Sequence, residues 1–138
     1  MPTTSPLDSS EWSQLREYVA TIQAAARKRY GSNLDESLAD IDVLQKMIDE
    51  SVYDATDADA LKALGAVFGN VLVKQLAFEW VALEDRHGRE PGLRLKLAHS
   101  LVINPLRIVS SRVEAGHSID LLGTFRTIKA DVAKTKIL

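Results

Sequence analysis

The sequence has no cysteine, which excludes disulfides, thiolate-bound zinc, iron–sulfur clusters and a cysteine nucleophile, and fits a reducing compartment. It also lacks a concentrated basic field. With a formal net charge of -2, nothing draws the whole chain towards nucleic acid or anionic lipid. No long unbroken apolar run is present: the richest stretch, Leu61 to Leu83, is interrupted by Lys62, Asn70, Lys74, Gln75 and Glu79, each costly in hydrocarbon. The first residues, Met1-Pro2-Thr3-Thr4-Ser5-Pro6, carry neither a positive leader nor an apolar segment, so the expected location is cytoplasmic. Internal repeats, low-complexity tracts, a G-x-S-x-G elbow, an S-x-x-K motif and the phosphate-binding glycine fingerprints are all missing.

What is present is an ordinary globular composition, 46% hydrophobic and 26% charged over 138 residues, which calls for one core in one domain. The charge is unevenly placed. From Asp35 to Asp59 nine acids face the single base Lys46, a net of -8, whereas from Arg86 to the end ten bases face four acids, a net of +6. Such a division is often just a solvated, internally balanced surface; its functional alternative is an acidic face that steers a basic partner.

Hydrophobic spacing predicts a flexible lead over residues 1–8 and a single α+β domain over residues 9–138. Ser9 or Ser10 caps a helix with Trp12, Leu15, Val19, Ile22 and Ala26 on one stripe, ending at Gly31. A second helix starts near Asn33 or Asp35, and a third opens at Thr56 with Asp59 in a near capping box. The period then shortens. Glu79–Asp85 and Leu93–Leu97 read as a hairpin around Arg86-His87-Gly88-Arg89, with His99–Ile103 as a third strand. The connections are too short for crossovers, so the three-stranded sheet is antiparallel. Asn104-Pro105 signals a helix start, Gly116 its end, and Ser118 the cap of a last helix. Trp12, Leu15, Leu64, Phe68, Trp80, Ile103 and Leu122 are expected among the buried residues.

Few residues suggest chemistry. Glu84, Asp85 and His87 could share acid/base work at the hairpin tip, with Arg86 and Arg89 holding an anionic substrate, but only beside a pocket; a solvated turn is the ordinary role of such a segment. His99 and His117 show no metal-ligand spacing. Gly65 and Gly69, one helical turn apart, suit the close approach of another helix better than a ligand. No cofactor or metal is expected.

From about residue 61 to 138 the chain resembles a family of small bacterial proteins known only as a domain of unknown function. The residues that carry the resemblance are Leu64-Gly65 and Gly69, Glu79-Trp80, the run from Glu84 through Asp85, Gly88, Arg89 and Glu90 to Pro91, and Asn104-Pro105 with Gly116. The resemblance implies a helix followed by strands and transfers no catalytic residue. Small acidic bacterial proteins of this size include immunity proteins, which bind and block a toxin. The functional expectation is therefore a binding protein rather than an enzyme, with a protein partner such as a basic toxin met by Asp40, Asp42, Asp49 and Glu50. The alternatives are a small-molecule sensor, marked by a deep apolar cavity, or an enzyme working at the hairpin turn.

Overall fold

Asp8, ahead of both serines expected to do so, begins the first helix. Its carboxylate accepts from the Glu11 N–H at 2.7 Å while Glu11 Oε1 accepts from the Asp8 N–H at 2.9 Å, a full capping box. The computed structural model describes residues 2–137; Met1 and Leu138, the outermost residues of the expected lead and domain, lie outside them. The elements run β1 (Thr3–Ser5), α1 (Ser9–Tyr30), α2 (Leu38–Asp49), α3 (Ala58–Leu76), β2 (Phe78–Asp85), β3 (Gly88–Leu95), β4 (Ala98–Ile103), α4 (Pro105–Glu114) and α5 (Leu121–Ile137). This is the expected α+β class with an antiparallel sheet, three helices before the hairpin and two after it. The strand count differs: four strands lie in the order β1-β2-β3-β4.

The added strand comes from the segment expected to be a flexible lead. Thr3, Thr4 and Ser5 pair with Glu84, Leu83 and Ala82. Arg94 Nη1 donates to Thr4 Oγ1 at 2.9 Å and Arg89 Nη1 to Ser5 Oγ at 3.0 Å, so side chains from β3 fasten β1 to the sheet. Leu7 then enters a small cluster with Leu15, Ala66, Ala82 and Leu106.

The other boundaries follow local chemistry. Ser37 caps α2 and Asp57, not Thr56, caps α3. Asp120, not Ser118, starts α5, accepting from the Gly123 N–H at 3.0 Å. The β2–β3 turn is only Arg86-His87, with Gly88 at φ 129, and Leu97, expected in a strand, is 77% exposed in the β3–β4 turn. Pro91 sits before β3 acquires β4 as a neighbour, so its missing N–H interrupts no bond on that side.

The centre of the molecule is α3, apolar nearly all round and buried accordingly. It packs with Ile22 of α1, Ile41, Leu44 and Met47 of α2, Val109 of α4, Leu121 and Phe125 of α5, and Phe78, Leu93 and Leu95 of the sheet. Gly65 serves helix packing, since a Cβ there would overlap the Pro105 carbonyl and lie 2.8 Å from Leu106 Cα, whereas Gly69 makes room for the sheet, since a Cβ there would lie 2.6 Å from the ring of Trp80 on β2. Trp80, Ile103 and Leu122 are half-buried, and Trp12, expected in the core, is 40% exposed. None of the helices among the described residues is long and apolar enough to cross a membrane.

Candidate functional site

Of the concavities on the surface, two gather residues that bear on function. The first is a groove of about 340 Å³ between α1 and α3, closed at its base by Trp80 of β2. Successive turns of α1 contribute Trp12, Leu15 and Val19, and α3 contributes Ala66 and Val67. Trp80 stands over Gly69 with its indole N–H donated to Asn70 Oδ1 at 2.8 Å, so both its ring and its polar atom are fixed. Gln23 folds the α1–α2 connection against the groove, donating to the Ser32 carbonyl at 3.3 Å and accepting from the Leu34 N–H at 2.7 Å. Arg16 and Glu36 complete a polar rim.

Asp40 also borders this groove, and its place corrects the expectation that it meets a partner. It is 2% exposed. Its two carboxylate oxygens accept from the backbone N–H groups of Asp35, at 3.2 Å, and Glu36, at 2.8 Å, thereby bracing the turn into α2. Desolvation raises its pKa above the usual aspartate value and outweighs the opposing pull of these two bonds. Asp42, Asp49 and Glu50 are exposed, so three of the four expected residues do lie on an open acidic surface. Asp49 accepts from Gln45 at 2.9 Å and Glu50 from the Tyr30 hydroxyl at 2.8 Å.

The second concavity, about 530 Å³, lies where the hairpin tip, the start of α4 and Pro2 meet. Leu83, Val102 and Ile103 supply its apolar surface. The structure brings Asp85, His87 and Arg89 of the hairpin cluster to this cleft together with Glu90, Asn104 and Arg107, while Glu84 and Arg86 are not part of its lining. Asp85 Oδ1 accepts from the His87 N–H at 2.7 Å, a bond internal to the turn. Arg89 is occupied elsewhere, bonding both carboxylate oxygens of Glu11, at 2.8 and 3.1 Å, and the Pro6 carbonyl at 3.1 Å. The Arg89 guanidinium holds the Glu11 pKa below its ordinary value.

Glu90 Oε1 receives two donors, Asn104 Nδ2 and Arg107 Nε, the latter at 2.7 Å. Asn104 occupies the N-cap position of α4 yet makes no capping bond with its side chain. Its Oδ1 is shut off from solvent and has no donor. Forgoing a cap costs about 1 kcal/mol, and a buried acceptor left unmet about 1–3 kcal/mol. Among the described residues no group of three or more His, Asp or Glu side chains is placed to hold a metal ion.

Asp42, Asp49, Glu50, Asp85 and His87 stood out in the sequence as charged clusters. Trp12 and Trp80 as groove walls, and Glu90, Asn104 and Arg107 as cleft walls, did not. Each of those sets joins residues far apart along the chain; the only local signal was the Asn104-Pro105 helix start, which concealed Asn104's turn towards Glu90.

Fold and surface thus define an α+β domain with a groove between α1 and α3 and a cleft at the hairpin tip. A family model for a domain of unknown function (DUF3806) matches residues 40–125, and the chain belongs to that family. The match begins inside α2, earlier than the resemblance seen in the sequence, and ends in α5 at Phe125. A crystal structure from Bacteroides thetaiotaomicron VPI-5482, determined at 1.50 Å resolution, shares the fold with a TM-score of 0.83 at 20% sequence identity. The match covers 92% of this chain and 47% of that one, so this chain spans about half its neighbour's length. No curated protein matches.

Proposed function

We propose that this chain is a protein-binding module whose α1–α3 groove receives an apolar anchor from a basic segment of a partner. The observation that carries the reading is the groove itself: an apolar trough walled by two tryptophans, one of them 40% exposed, with a polar rim. Large aromatic side chains around a concave apolar patch are what protein anchors dock into. Charge selects the kind of partner. The acidic stretch starts at the rim with Glu36 and continues along α2 through the exposed Asp42, Asp49 and Glu50, so basic residues flanking the anchor would meet opposite charge. A basic toxin blocked by an immunity protein is one form of this reading, which requires no catalytic group in the chain.

Ala20 is exposed and borders the groove, so Ala20→Arg fills its mouth and opposes its charge without touching the core. A protein retained from the native organism by the immobilised chain is expected to be lost with Ala20→Arg and kept with His87→Ala, which alters only the distant hairpin tip. Retention indifferent to Ala20→Arg, or no retained protein, overturns the reading.

A further inference from the structure

We infer that the occupant of the α1–α3 groove lies there as an extended chain, with a main-chain carbonyl beside its apolar anchor held by Asn70 and its basic neighbour towards Glu36. The inference rests on the reading of this groove as a protein-binding site and adds the backbone form of the partner and the residue that selects it. Asn70 lines the groove and is half-buried, one turn of α3 beyond Ala66. An indole N–H donates and cannot accept, so the atom of Asn70 that Trp80 Nε1 meets at 2.8 Å is Oδ1, and the amide nitrogen is fixed on the other side. That nitrogen has no acceptor among the described residues, yet it is open to solvent, unlike the enclosed Oδ1 of Asn104. The neighbouring polar side chains are already engaged: Gln23 uses its nitrogen on Ser32 and its oxygen on Leu34, and Asp40 uses both oxygens on Asp35 and Glu36.

A fixed, unmet N–H donor in an apolar trough calls for an acceptor that arrives together with the anchor. Every residue of an extended chain brings one in its own carbonyl, whereas a helix has spent its carbonyls on its own N–H groups except in the last turn. Extended segments are recognised in this divided way, main-chain bonds holding the chain while a pocket takes the side chain. The dimensions agree. From Arg16 to Gln23 the groove follows two turns of α1, roughly 10 Å at the helical rise, which is the reach of about three extended residues. The rim gives the segment a direction: Arg16 stands towards the start of α1, and Glu36 belongs to the connection that Gln23 holds at the other end, so the lysine or arginine lies at the Glu36 end.

Three capped probes separate the requirements, each titrated into the full chain and followed through backbone amide and indole NMR shifts. The first is acetyl-Gly-Leu-Pro-Lys-amide, whose leucine is kept extended by the proline after it. The second has glycine in place of its lysine and carries no charge, and the third is a stapled helix bearing one leucine and one lysine. The first probe is expected to give saturable shifts at Val19, Asn70 and the Trp80 indole N–H with a Kd of about 1 mM or tighter. The uncharged probe should bind several-fold more weakly at low salt, and the helix at least tenfold more weakly. Asn70→Asp keeps an oxygen for Trp80 and exchanges only the free N–H donors for an acceptor, so it should weaken the uncharged probe about tenfold while the indole proton keeps its hydrogen-bonded shift. If Asn70 only props Trp80, that variant binds the uncharged probe as the wild type does, and the inference is overturned. The comparison of extended and helical probes on the unaltered protein decides the matter even if the variant fails to fold. A helix that binds as well as the extended probe, with shifts at the same groove residues, overturns the extended form and leaves the protein-binding reading standing. Absence of saturable groove shifts from the extended probes also overturns the inference, while the retention experiment with Ala20→Arg decides the reading by itself.

Discussion

The two flanks of α3 solve the same packing problem in opposite ways. Towards α4 the helix presents Gly65, and the backbone of Pro105 and Leu106 comes so close that a methyl group would not fit. Towards α1 the contact is made by Leu15, Val19 and Val67, and beside them lies the groove bordered by Trp12. Backbone contact through small residues closes a seam, whereas large side chains hold helices apart and leave space at their ends. On the open side, polar ties do part of the fastening: Glu11 to Arg89 at one end of α1, and Gln23 to Ser32 and Leu34 further along.

The sharpest way to break this comparison is Gly65→Ala. The added Cβ would meet backbone atoms, which can yield only if α4 moves, so a loss of about 3 kcal/mol or more is expected in urea unfolding. Gly69→Ala should cost less, about 1–2 kcal/mol, because its Cβ would meet the Trp80 side chain at the groove rather than backbone. Equal costs would mean that the groove side is as unyielding as the α4 side. Next in size is Asp40→Ala, which strands the N–H groups of Asp35 and Glu36 and should cost about 1–3 kcal/mol. The pH dependence has a definite sign. Burial raises the folded pKa of Asp40 above 3.8, so its contribution is greatest in acid and declines as pH rises through the folded value; Asp40→Asn should flatten that decline.

Helix spacing disclosed all five helices and the hairpin, because Leu61, Leu64, Phe68 and Leu72 on α3, or Glu79 to Asp85 on β2, carry their periodicity within a few residues. It could not disclose β1. Thr3–Ser5 is too short to show a period, and it becomes a strand through pairing with residues some 80 positions away. Trp12 was misjudged because it shares the stripe of Leu15 and Val19, and spacing cannot say that the facing helix leaves a gap there. Asp40 was misjudged in reverse: a carboxylate among many looks solvated until two backbone donors are seen to enclose it. The concavities were illegible for the same reason as β1, since Glu90 and Arg107 meet only after the chain has folded.

Smaller effects test how the open flank is fastened. Glu11→Gln keeps a side chain able to serve the capping box but removes the charge that Arg89 binds, at an expected cost of about 1 kcal/mol at neutral pH. Because Arg89 lowers the Glu11 pKa below 4.5, this stabilisation is complete above that value and is lost as pH falls through the folded pKa. The variant and the wild type should therefore converge in acid, and a constant gap down to low pH would show that the ion pair is not its source. Trp12→Ala should cost about 1 kcal/mol or less, against the ~3–5 kcal/mol expected for the fully buried Phe68. A cost near that of Phe68→Ala would mean that Trp12 belongs to a closed core and that the groove is not available to a partner.

The smallest effect on folding belongs to the acidic face. Asp42 and Asp49 are exposed, and replacing both by lysine should leave unfolding within about 0.5 kcal/mol of the wild type. Association is where the change should appear. Exposed carboxylates raise the encounter rate of a basic partner through a field screened over ~8 Å at physiological ionic strength. Stopped-flow mixing of the Asp42→Lys, Asp49→Lys protein with the partner should show association slowed several-fold at low salt, the difference closing as salt is added, while dissociation changes little. Ala20→Arg should show the reverse division for its steric part, raising the dissociation rate even at high salt, because it disturbs contacts rather than approach. If the double variant alters dissociation and leaves association untouched, the carboxylates are contact residues and the steering role fails. If neither rate changes at any salt, α2 is an ordinary solvated face and the groove must choose its partner by shape alone.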